Sequence, residues 1–350
     1  MSKPVAQIGA KPSLKVTSAE VALKAGVSQS AVSRVFTPGA SASSKTVTKV
    51  REAAAELGYR PNVLARAMVS GKSRIIGLVV AYLENHFYPE ALEKLSKALQ
   101  EKGYHVLIFM AANMEADVDN VIDELLDYQV DGIITASISM SSDLAQRCRD
   151  AGVPIVFFNR TQDATGFPAV TSDNITGGKR VAEFLLAGKH KRIGYIAGWE
   201  GASTQRDREH GFLCGLHAAG RDVDIREVGD FNRDVAAQAA RRMFDRPDRP
   251  DAVFVCNDHM AFAVIDVLRD ELGLMVPMDV SVVGYDDVPA ASYGGYKLTT
   301  VRQRANAMVD ETVEILLEQI ETPEAPKRGV AIDAPLIVRH SARIPKGWTT

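Results

Sequence analysis

The spacing of apolar and polar residues changes once along the chain, close to residue 74. Between residues 16 and 60, small apolar residues recur every three or four positions, which is the period of an amphipathic helix. From residue 75 onward, short apolar runs alternate with longer amphipathic stretches, which is typical of strands alternating with helices. The pattern predicts an all-α head followed by a larger α/β body.

The head carries the signals of three short helices. Thr17 can cap the first helix, and Gly26 follows where that helix must stop. Ser28 can cap a second helix over residues 29–36, and a third is predicted over about residues 45–57. Two short helices joined by a glycine turn form a helix-turn-helix, so the head is predicted to bind DNA.

The second helix of a helix-turn-helix lies in the major groove, with its N-terminal side chains near base edges. That geometry directs Gln29, Ser30 and Arg34 towards the bases. Arginine suits guanine and glutamine suits adenine, so these residues are the predicted carriers of specificity. Other polar groups nearby are predicted to hold phosphates and fix the register. These residues are Thr17, Ser28, Ser33, Ser43, Ser44, Lys45 and Thr46.

A Tyr-Arg-Pro-Asn segment ends the third helix pattern and opens a short apolar helix over residues 63–68, followed by a flexible linker. An isolated helix of this length is unstable in water because nucleation is costly. This hinge helix is therefore predicted to form only when it is paired and docked.

In the body, the alternation of strands and helices occurs twice, which predicts two lobes built on parallel sheets with both faces covered. Ligands of such sheets bind beyond the carboxyl ends of the strands, so a cleft between the lobes is the predicted ligand site. The predicted strands are residues 75–80, 105–109, 132–135 and 155–158, then 192–197, 252–255 and 281–285; the predicted helices are residues 89–102, 116–126 and 143–151, then 206–219, 235–244 and 259–272.

Charge divides the chain at the same place. Residues 1–73 carry 11 Lys and Arg against 3 Asp and Glu, a net charge of +8, whereas the remaining residues carry 30 against 41, a net charge of −11. The basic head attracts phosphates and the acidic body repels them, so contact with nucleic acid is predicted only in the head. The alternative is that a small, surface-rich domain is basic by chance.

Composition disfavours several other classes of protein. Residues 1–15 are interrupted by prolines and a glycine and lack a signal-peptide apolar run, so they are predicted to be a disordered arm. No apolar stretch reaches the length of a membrane span. The cysteines Cys148, Cys214 and Cys256 are far apart, which predicts reduced thiols in a cytoplasmic protein without a metal site or other cofactor.

Five sequence strings occur in an order that resembles the lactose-repressor (LacI/GalR) family of bacterial transcription regulators. The strings are AGVSQSAVSRVF, ELGYRPNVLARAM, VDGII, SVVGYDD and LTTVRQ. In that family, the hinge helices of two subunits pair in the minor groove and a leucine of each wedges between base pairs. The resemblance places Met68 at the wedge and includes Asn62 among the DNA contacts; methionine is also able to unstack a base step.

The resemblance also implies a periplasmic-binding-protein-like body whose chain crosses between the lobes near residues 172, 302 and 335. The implied organisation is a disordered arm (1–15), a helix-turn-helix domain (16–60), a hinge helix and linker (61–73) and an effector-binding body (74–345). Lobe 1 is implied to comprise about residues 74–172 and 303–334, and lobe 2 about residues 173–302 and 335–345.

Polar or aromatic residues that directly follow an apolar run are candidates for the ligand site. On this ground we expect Asn159, Trp199, Asn257 and Asp286 at the cleft. The resemblance adds further positions, with an arginine as a two-pronged donor and an aromatic stacking face. The added residues are Phe87, Tyr88, Thr204, Arg208 and Phe231.

This set suits a small polyhydroxylated effector, since a guanidinium and carboxamides can bridge adjacent hydroxyls while an aromatic ring covers an apolar sugar face. Sugar-binding relatives often have Asp where this chain has Asn159. The missing negative charge makes an acidic ligand, such as a sugar acid, more tolerable beside Arg208.

Simpler interpretations of these residues stay open. Asn257 can act only as a helix cap, and Asp286 can be an ordinary turn residue. Trp199 can pack one lobe on the other, and Phe87 with Tyr88 can be surface interface residues. Arg208 is the strongest candidate, because a cation predicted in the first turn of a helix opposes the helix dipole and needs a reason.

No nucleophile elbow, phosphate-binding loop, zinc-protease or dinucleotide motif is present, so catalysis is not predicted. The sequence favours a ligand-responsive repressor that binds a pseudo-palindromic operator as a homodimer, with a tetramer possible. The alternatives are a two-lobed sugar-binding transport receptor and an α/β enzyme. The sequence does not name the operator, the effector or the direction of the response.

Overall fold

A computed structural model describes residues 16–37, 40–60, 72–81, 83–111, 115–138, 140–162 and 166–349. The chain divides into two units after Ser73. The predicted arm (1–15) and hinge helix (63–68), with Asn62 and Met68, lie outside the described residues.

The head consists of helices α1 (Ser18–Ala25), α2 (Gln29–Phe36) and α3 (Ser44–Leu57). The predicted capping residue Thr17 accepts a hydrogen bond from the Glu20 backbone, and the Glu20 side chain caps it in return, which completes a capping box. These helices enclose a small core of alanine and valine. Its buried members are Val21, Ala22, Ala25, Val32, Val50, Ala53 and Ala54.

The first lobe of the body is an all-parallel sheet with strand order β11-β5-β4-β3-β1-β2. Helix α11 packs on this sheet and on α4, although it comes late in the chain. The elements are β1 (Ile75–Val80), α4 (Phe87–Glu101), β2 (His105–Met110), α5 (Glu115–Asp127), β3 (Gly132–Ala136), α6 (Ser142–Asp150), β4 (Ile155–Phe158), β5 (Ala169–Ser172), α11 (Ala305–Glu321) and β11 (Val330–Ile332).

The second lobe has strand order β12-β10-β9-β8-β6-β7, and β12 alone runs antiparallel to its neighbour. The chain passes between the two sheets after β5, after β10 and after β11. The elements are α7 (Asn174–Ala187), β6 (Ile193–Ala197), α8 (Ser203–His217), β7 (Ile225–Val228), α9 (Arg233–Phe244), β8 (Ala252–Val255), α10 (Asp258–Asp266), β9 (Ser281–Asp286), β10 (Thr299–Arg302) and β12 (Leu336–Ile337).

The structure corrects the predicted elements in three respects: missed elements, a change of helix type and a shifted helix start. Helix α7 was not predicted, and neither were the short strands β5, β7, β10, β11 and β12. The helix predicted over residues 259–272 changes to π-helical geometry over Val267–Glu271. Helix α8 begins at Ser203, so Arg208 lies in its second turn rather than in the first, and the dipole argument for that residue is wrong.

Helices α7 and α8 approach each other closely through glycine. A Cβ atom on Gly211 would lie 2.0 Å from the carbonyl oxygen of Ile175, and one on Gly178 would lie 2.3 Å from that of Arg208. Only hydrogen fits at these positions, so the two backbones are in direct contact. This packing fixes the part of α8 that carries Arg208.

Candidate functional site

A buried ion pair between Arg208 on α8 and Asp286 at the end of β9 forms the centre of the polar cluster in the body. Arg208 Nη2 lies 3.3 Å from Asp286 Oδ1, and both side chains are at most 3% exposed. Asp286 also accepts hydrogen bonds from Asn85 Nδ2, at 3.2 Å, and Gln303 Nε2, at 2.8 Å. Asp286 is therefore more than an ordinary turn residue.

The remaining donors of Arg208 are directed to groups of the second lobe. Nε donates to Asn174 Oδ1 at 2.9 Å, and Nη1 donates to the carbonyl oxygen of Cys256 at 2.7 Å. The guanidinium carbon lies 3.7 Å from the centre of the Tyr285 ring. A ligand that bound Arg208 through two hydrogen bonds would have to displace some of these contacts, so that role stays a prediction.

Burial and charge act in opposite directions at this pair. Burial is the largest effect on Asp286 and gives its pKa a net upward shift, which the positive charge of Arg208 opposes. Burial is the largest single effect on Arg208 and would lower its pKa, but Asp286, acting together with weaker contributions from Cys256, Tyr285 and Tyr88, makes the net shift upward. Donors from three residues converge on the Asp286 oxygens, an arrangement that suits the ionised carboxylate.

Asp258 supports the loop that carries Asp286. Its carboxylate accepts hydrogen bonds from Thr300 Oγ1, at 2.6 Å, and from the Val288 backbone, at 3.0 Å. A Cβ on Gly284 would lie 2.3 Å from Asp258 Oδ1, so glycine leaves room for the carboxylate under β9. Burial, followed by the charge of Asp286, raises the pKa of Asp258 well above its usual range.

The aromatic candidates of the first lobe are buried. Phe87 and Tyr88 are 3% and 4% exposed, so the interpretation of both as surface residues is wrong. The Phe87 ring stacks on Phe158 at 6.1 Å. The Tyr88 hydroxyl accepts a hydrogen bond of 3.1 Å from Asn159 Nδ2. Asn159 adopts a φ of +65°, and its Oδ1 has no partner among the described residues.

The two lobes contact each other beside this cluster. The backbone N–H of Thr161 donates to Ser203 Oγ at 2.9 Å. The guanidinium of Arg160 lies over the Trp199 ring, 5.3 Å from its centre. Trp199 thus packs one lobe on the other, which was the simpler interpretation of this residue in the sequence analysis.

The remaining candidates, Asn257, Phe231 and Thr204, belong to the second lobe. Asn257 caps α10 by accepting from the Met260 backbone at 3.0 Å, as the capping interpretation predicts, and its Nδ2 has no partner among the described residues. Phe231 is half-buried, and its ring would meet a Cβ on Gly198 at 2.3 Å. Thr204 is buried in the first turn of α8.

A cavity of about 380 Å³ opens beside Asp286, within the size range of ligand pockets. Two predicted effector residues, Phe87 and Asp286, line it, whereas Arg208, Asn159 and Phe231 do not. The other lining residues include Lys94, Gln303, Arg304 and Asn306.

Four residues of this region were not predicted from the sequence: Asn85, Asn174, Gln303 and Arg160. Asn85 lies in the turn between β1 and α4, four residues before Pro89. Arg160 directly follows Asn159. The rule that selected polar residues directly after strands could have been extended by one position to Arg160, but it does not reach Asn85, five residues beyond the end of β1. Asn174 and Gln303 act through partners distant in sequence, which no local signal indicates.

The residues predicted to read DNA bases lie on the surface of α2. Gln29, Ser30 and Arg34 are exposed. Gln29 Nε2 donates to Ser18 Oγ on α1 at 2.9 Å, and Arg34 Nε donates to the Ser30 carbonyl at 3.4 Å. Both long side chains are thus placed on the outer face of the helix without burial.

The predicted phosphate contacts occupy helix starts or exposed positions. Ser28 and Ser43 cap α2 and α3 by accepting from the backbones of Ala31 and Thr46. Helix N-termini favour bound anions, so these positions suit phosphate. Thr17, Ser28, Ser33, Ser43, Ser44 and Lys45 are exposed and Thr46 is half-buried.

Within the described parts of the chain, no group of three His, Cys, Asp or Glu side chains could hold a metal ion. None of the helices in those parts is both long enough and apolar enough to cross a membrane. Cys148 and Cys256 are buried thiols, whereas Cys214 is half-buried.

Two protein-family models match the chain. Residues 17–62 match the bacterial regulatory proteins of the lacI family, and residues 182–342 match a periplasmic binding protein-like domain. The first match covers the three helices of the head, and the second covers most of the second lobe with the late elements of the first.

Curated proteins and solved structures match over nearly the whole chain. The HTH-type transcriptional regulator CelR of Thermobifida fusca is 32% identical over 335 residues, which cover 92% of this chain and 96% of that protein. The lac repressor dimer bound to operator and the anti-inducer ONPF is 28% identical, with a TM-score of 0.84 and coverage of 94% and 99%. A CelR-cellobiose complex is 31% identical, with a TM-score of 0.71 and coverage of 93% and 100%.

Proposed function

Because this chain belongs to the LacI family of bacterial regulatory proteins, DNA-binding regulators of transcription, we propose that it is a repressor whose operator affinity is controlled by a small polar effector. The observation that carries the proposal is the polar cluster between two lobes, centred on Arg208 and Asp286, in a chain that also has an exposed helix-turn-helix. The effector class we propose is a sugar or sugar acid.

The head supports the DNA-binding part of this proposal. Its recognition helix exposes Gln29, Ser30 and Arg34, and residues 1–73 carry a net charge of +8. One head covers one half-site, so we propose that a homodimer binds a pseudo-palindrome. The matching lac repressor structure is a dimer on its operator. We propose that residues 61–73 supply the hinge, with Asn62 and Met68 in contact with DNA.

The body supports the effector part. Asn85 of the first lobe donates a hydrogen bond to Asp286 of the second, so a ligand beside this pair would contact both lobes. A ligand shifts a conformational equilibrium only when it prefers one state, and contact with both lobes provides that preference for the closed arrangement. Cellobiose is bound in a structure of the related regulator CelR, which supports a carbohydrate as the effector class.

The alternatives predict different behaviour. A transport receptor would bind sugar without binding DNA, and an enzyme would convert its ligand. The relatives are transcription regulators, so we propose that the chain acts by binding alone and not by catalysis.

The test begins with the full chain and a pool of random duplex DNA. Selection should enrich a pseudo-palindrome with two half-sites, and each of a panel of sugars and sugar acids is then titrated into the complex. Ligands that bind should raise the thermal midpoint and change operator affinity. Phe231→Ala should weaken that change by removing the stacking face. The proposal fails if no site is enriched, or if a tightly bound ligand leaves operator affinity unchanged.

A further inference from the structure

The amide side chain of Gln29 is held by a residue of a different helix. Gln29 is the first residue of α2, and Ser18 is the first residue of α1. Gln29 Nε2 donates a hydrogen bond of 2.9 Å to Ser18 Oγ. Gln29 is exposed, whereas Ser18 is half-buried. A side chain of the recognition helix is thus anchored on the neighbouring helix.

The two helix starts that meet in this contact are both fixed by local structure. At the start of α1, Thr17 and Glu20 form a capping box. At the start of α2, Ser28 accepts a hydrogen bond of 3.3 Å from the Ala31 backbone. The two helices also share the small apolar core of the head. The relative position of Ser18 and Gln29 is therefore set by the fold of the head.

The other two predicted base readers make contacts of a different kind. The Ser30 hydroxyl lies 2.9 Å from the hydroxyl of the cap residue Ser28. Arg34 Nε donates to the Ser30 carbonyl oxygen at 3.4 Å. These contacts lie within α2 and its cap. The contact of Gln29 instead orders a long side chain against a second helix, which lowers the entropy cost of using that side chain for recognition.

The hydrogen bond to Ser18 uses only part of the Gln29 amide. A carboxamide has two N–H donors and one acceptor oxygen, so one N–H and Oε1 remain. In the major groove, adenine presents the acceptor N7 beside the donor N6, and this pair matches the remaining N–H and Oε1. Guanine presents the acceptors N7 and O6, so an amide held in this orientation would place Oε1 against O6. The held amide therefore favours adenine and disfavours guanine.

We propose that Ser18 is a positioning residue for operator recognition, which fixes the orientation of the Gln29 amide and so sets its preference for adenine. Ser18 needs no contact with DNA for this role. Without the anchor, the amide could turn about its terminal bond and present a donor to guanine O6, so the discrimination between the two purines would weaken. This inference rests on the proposed function and adds a residue of α1 to the determinants of the operator sequence.

The experiment measures base preference with the full chain and with duplexes derived from its selected operator. The position that Gln29 reads is the one whose base preference disappears in Gln29→Ala. At that position, Ser18→Ala should lower the ratio of the affinities for adenine and guanine by about two- to tenfold, the change expected when one hydrogen bond between neutral groups is lost. Affinity for random DNA should be unchanged, because no phosphate contact is removed.

Three further variants separate the hydroxyl from other effects of the substitution. Ser18→Thr keeps an acceptor oxygen and should retain the preference for adenine. Thr48→Ala removes an exposed hydroxyl that donates to the Ser44 carbonyl oxygen within α3, and this control should behave as the original chain. When Ser18→Ala is added to Gln29→Ala, it should have no further effect, because the side chain that it positions is absent.

Each alternative role of Ser18 gives a different result. A purely structural role predicts that Ser18→Ala lowers the thermal midpoint and leaves the adenine-to-guanine ratio unchanged. A phosphate contact predicts equal losses on all duplexes, and a direct base contact predicts an effect that persists in Gln29→Ala. Any of these results would overturn the inference, as would a Thr variant as impaired as the Ala variant or a selected guanine at the position that Gln29 reads. Failure to select any operator would instead refute the proposed regulator.

Discussion

Replacing Asp286 with alanine should destabilise the body by roughly 3–5 kcal/mol, the range found when one partner of a buried ion pair is removed. The magnitude follows from the burial of Asp286 and Arg208, which are at most 3% exposed and so are little screened by water. The variant also removes the acceptor of Asn85 and Gln303, each of which would be left with an unsatisfied donor. Arg208 would keep two neutral acceptors but no counter-charge.

A double-mutant cycle isolates the pair. Urea unfolding is measured for the original chain, Asp286→Ala, Arg208→Ala and the double variant, with operator binding as a check of folding. The double variant should be less destabilised than the sum of the single variants, because removing both charges leaves no unpaired ion. Coupling of about 1–3 kcal/mol is expected for groups in one network.

A surface ion pair provides the comparison. Glu271 lies 2.6 Å from Arg241, and the two side chains are 44% and 47% exposed. Glu271→Ala should therefore destabilise the chain far less than Asp286→Ala, because solvent screens an exposed pair. If Asp286→Ala costs no more than this control, or if the cycle shows additive effects, the cluster does not depend on the buried pair and our interpretation of its energetics is wrong.

Three further predictions concern other parts of the chain. Arg34→Ala should relax base preference at one position of each half-site by about 1–3 kcal/mol, whereas Lys45→Ala should weaken binding to all duplexes alike. If both variants lost equal affinity for specific and random DNA, the assignment of Arg34 to base reading would be wrong. Burial, followed by the charge of Arg343, lowers the pKa of His190 below its ordinary 6.5, so the folded state disfavours the protonated ring. The urea midpoint should therefore rise with pH through the window just below 6.5 and then level off. His190→Gln should flatten this rise, and a midpoint that is higher in acid would contradict the argument. Gly211→Ala should destabilise the body by several kcal/mol in calorimetry, since its Cβ would lie 2.0 Å from a backbone oxygen of α7, and an unchanged midpoint would show that the helices can separate without cost.

Strong local patterns allowed much of the fold to be predicted. Strand β1 lies at the predicted residues because the run Ile75–Val80, apolar apart from one glycine, directly follows the polar residues 72–74. Helix α7 was missed because Gly177 and Gly178 weaken its helical pattern, and both glycines are required by contacts with other elements. Strands β11 and β12 have three and two residues, too few for a period to be detected. Their assignment depends on pairing with β5 and β10, which lie far away in the sequence.

The residues of the site likewise divide into those that the local sequence indicates and those that depend on partners far away in the chain. Asp286 could be identified because it ends an apolar strand. Its partner Asn85 is 201 positions away, and Gln303 belongs to a crossing between the lobes. The sequence indicated Arg208 through a family resemblance, but it could not show that the guanidinium is already engaged. That property depends on how the fold encloses the side chain.

The late arrival of α11 and β11 in the first lobe has a consequence for synthesis on the ribosome. The first five strands of that lobe are complete once Ser172 has been made, yet the sixth strand of its sheet, Val330–Ile332, follows only after most of the second lobe. During that interval the edge of β5 and the surface later covered by α11 are open to solvent and to other chains. The second sheet is also closed late, by Leu336–Ile337. Nascent chains that stall before residue 332 should therefore be recognised by chaperones, although they contain most of both lobes.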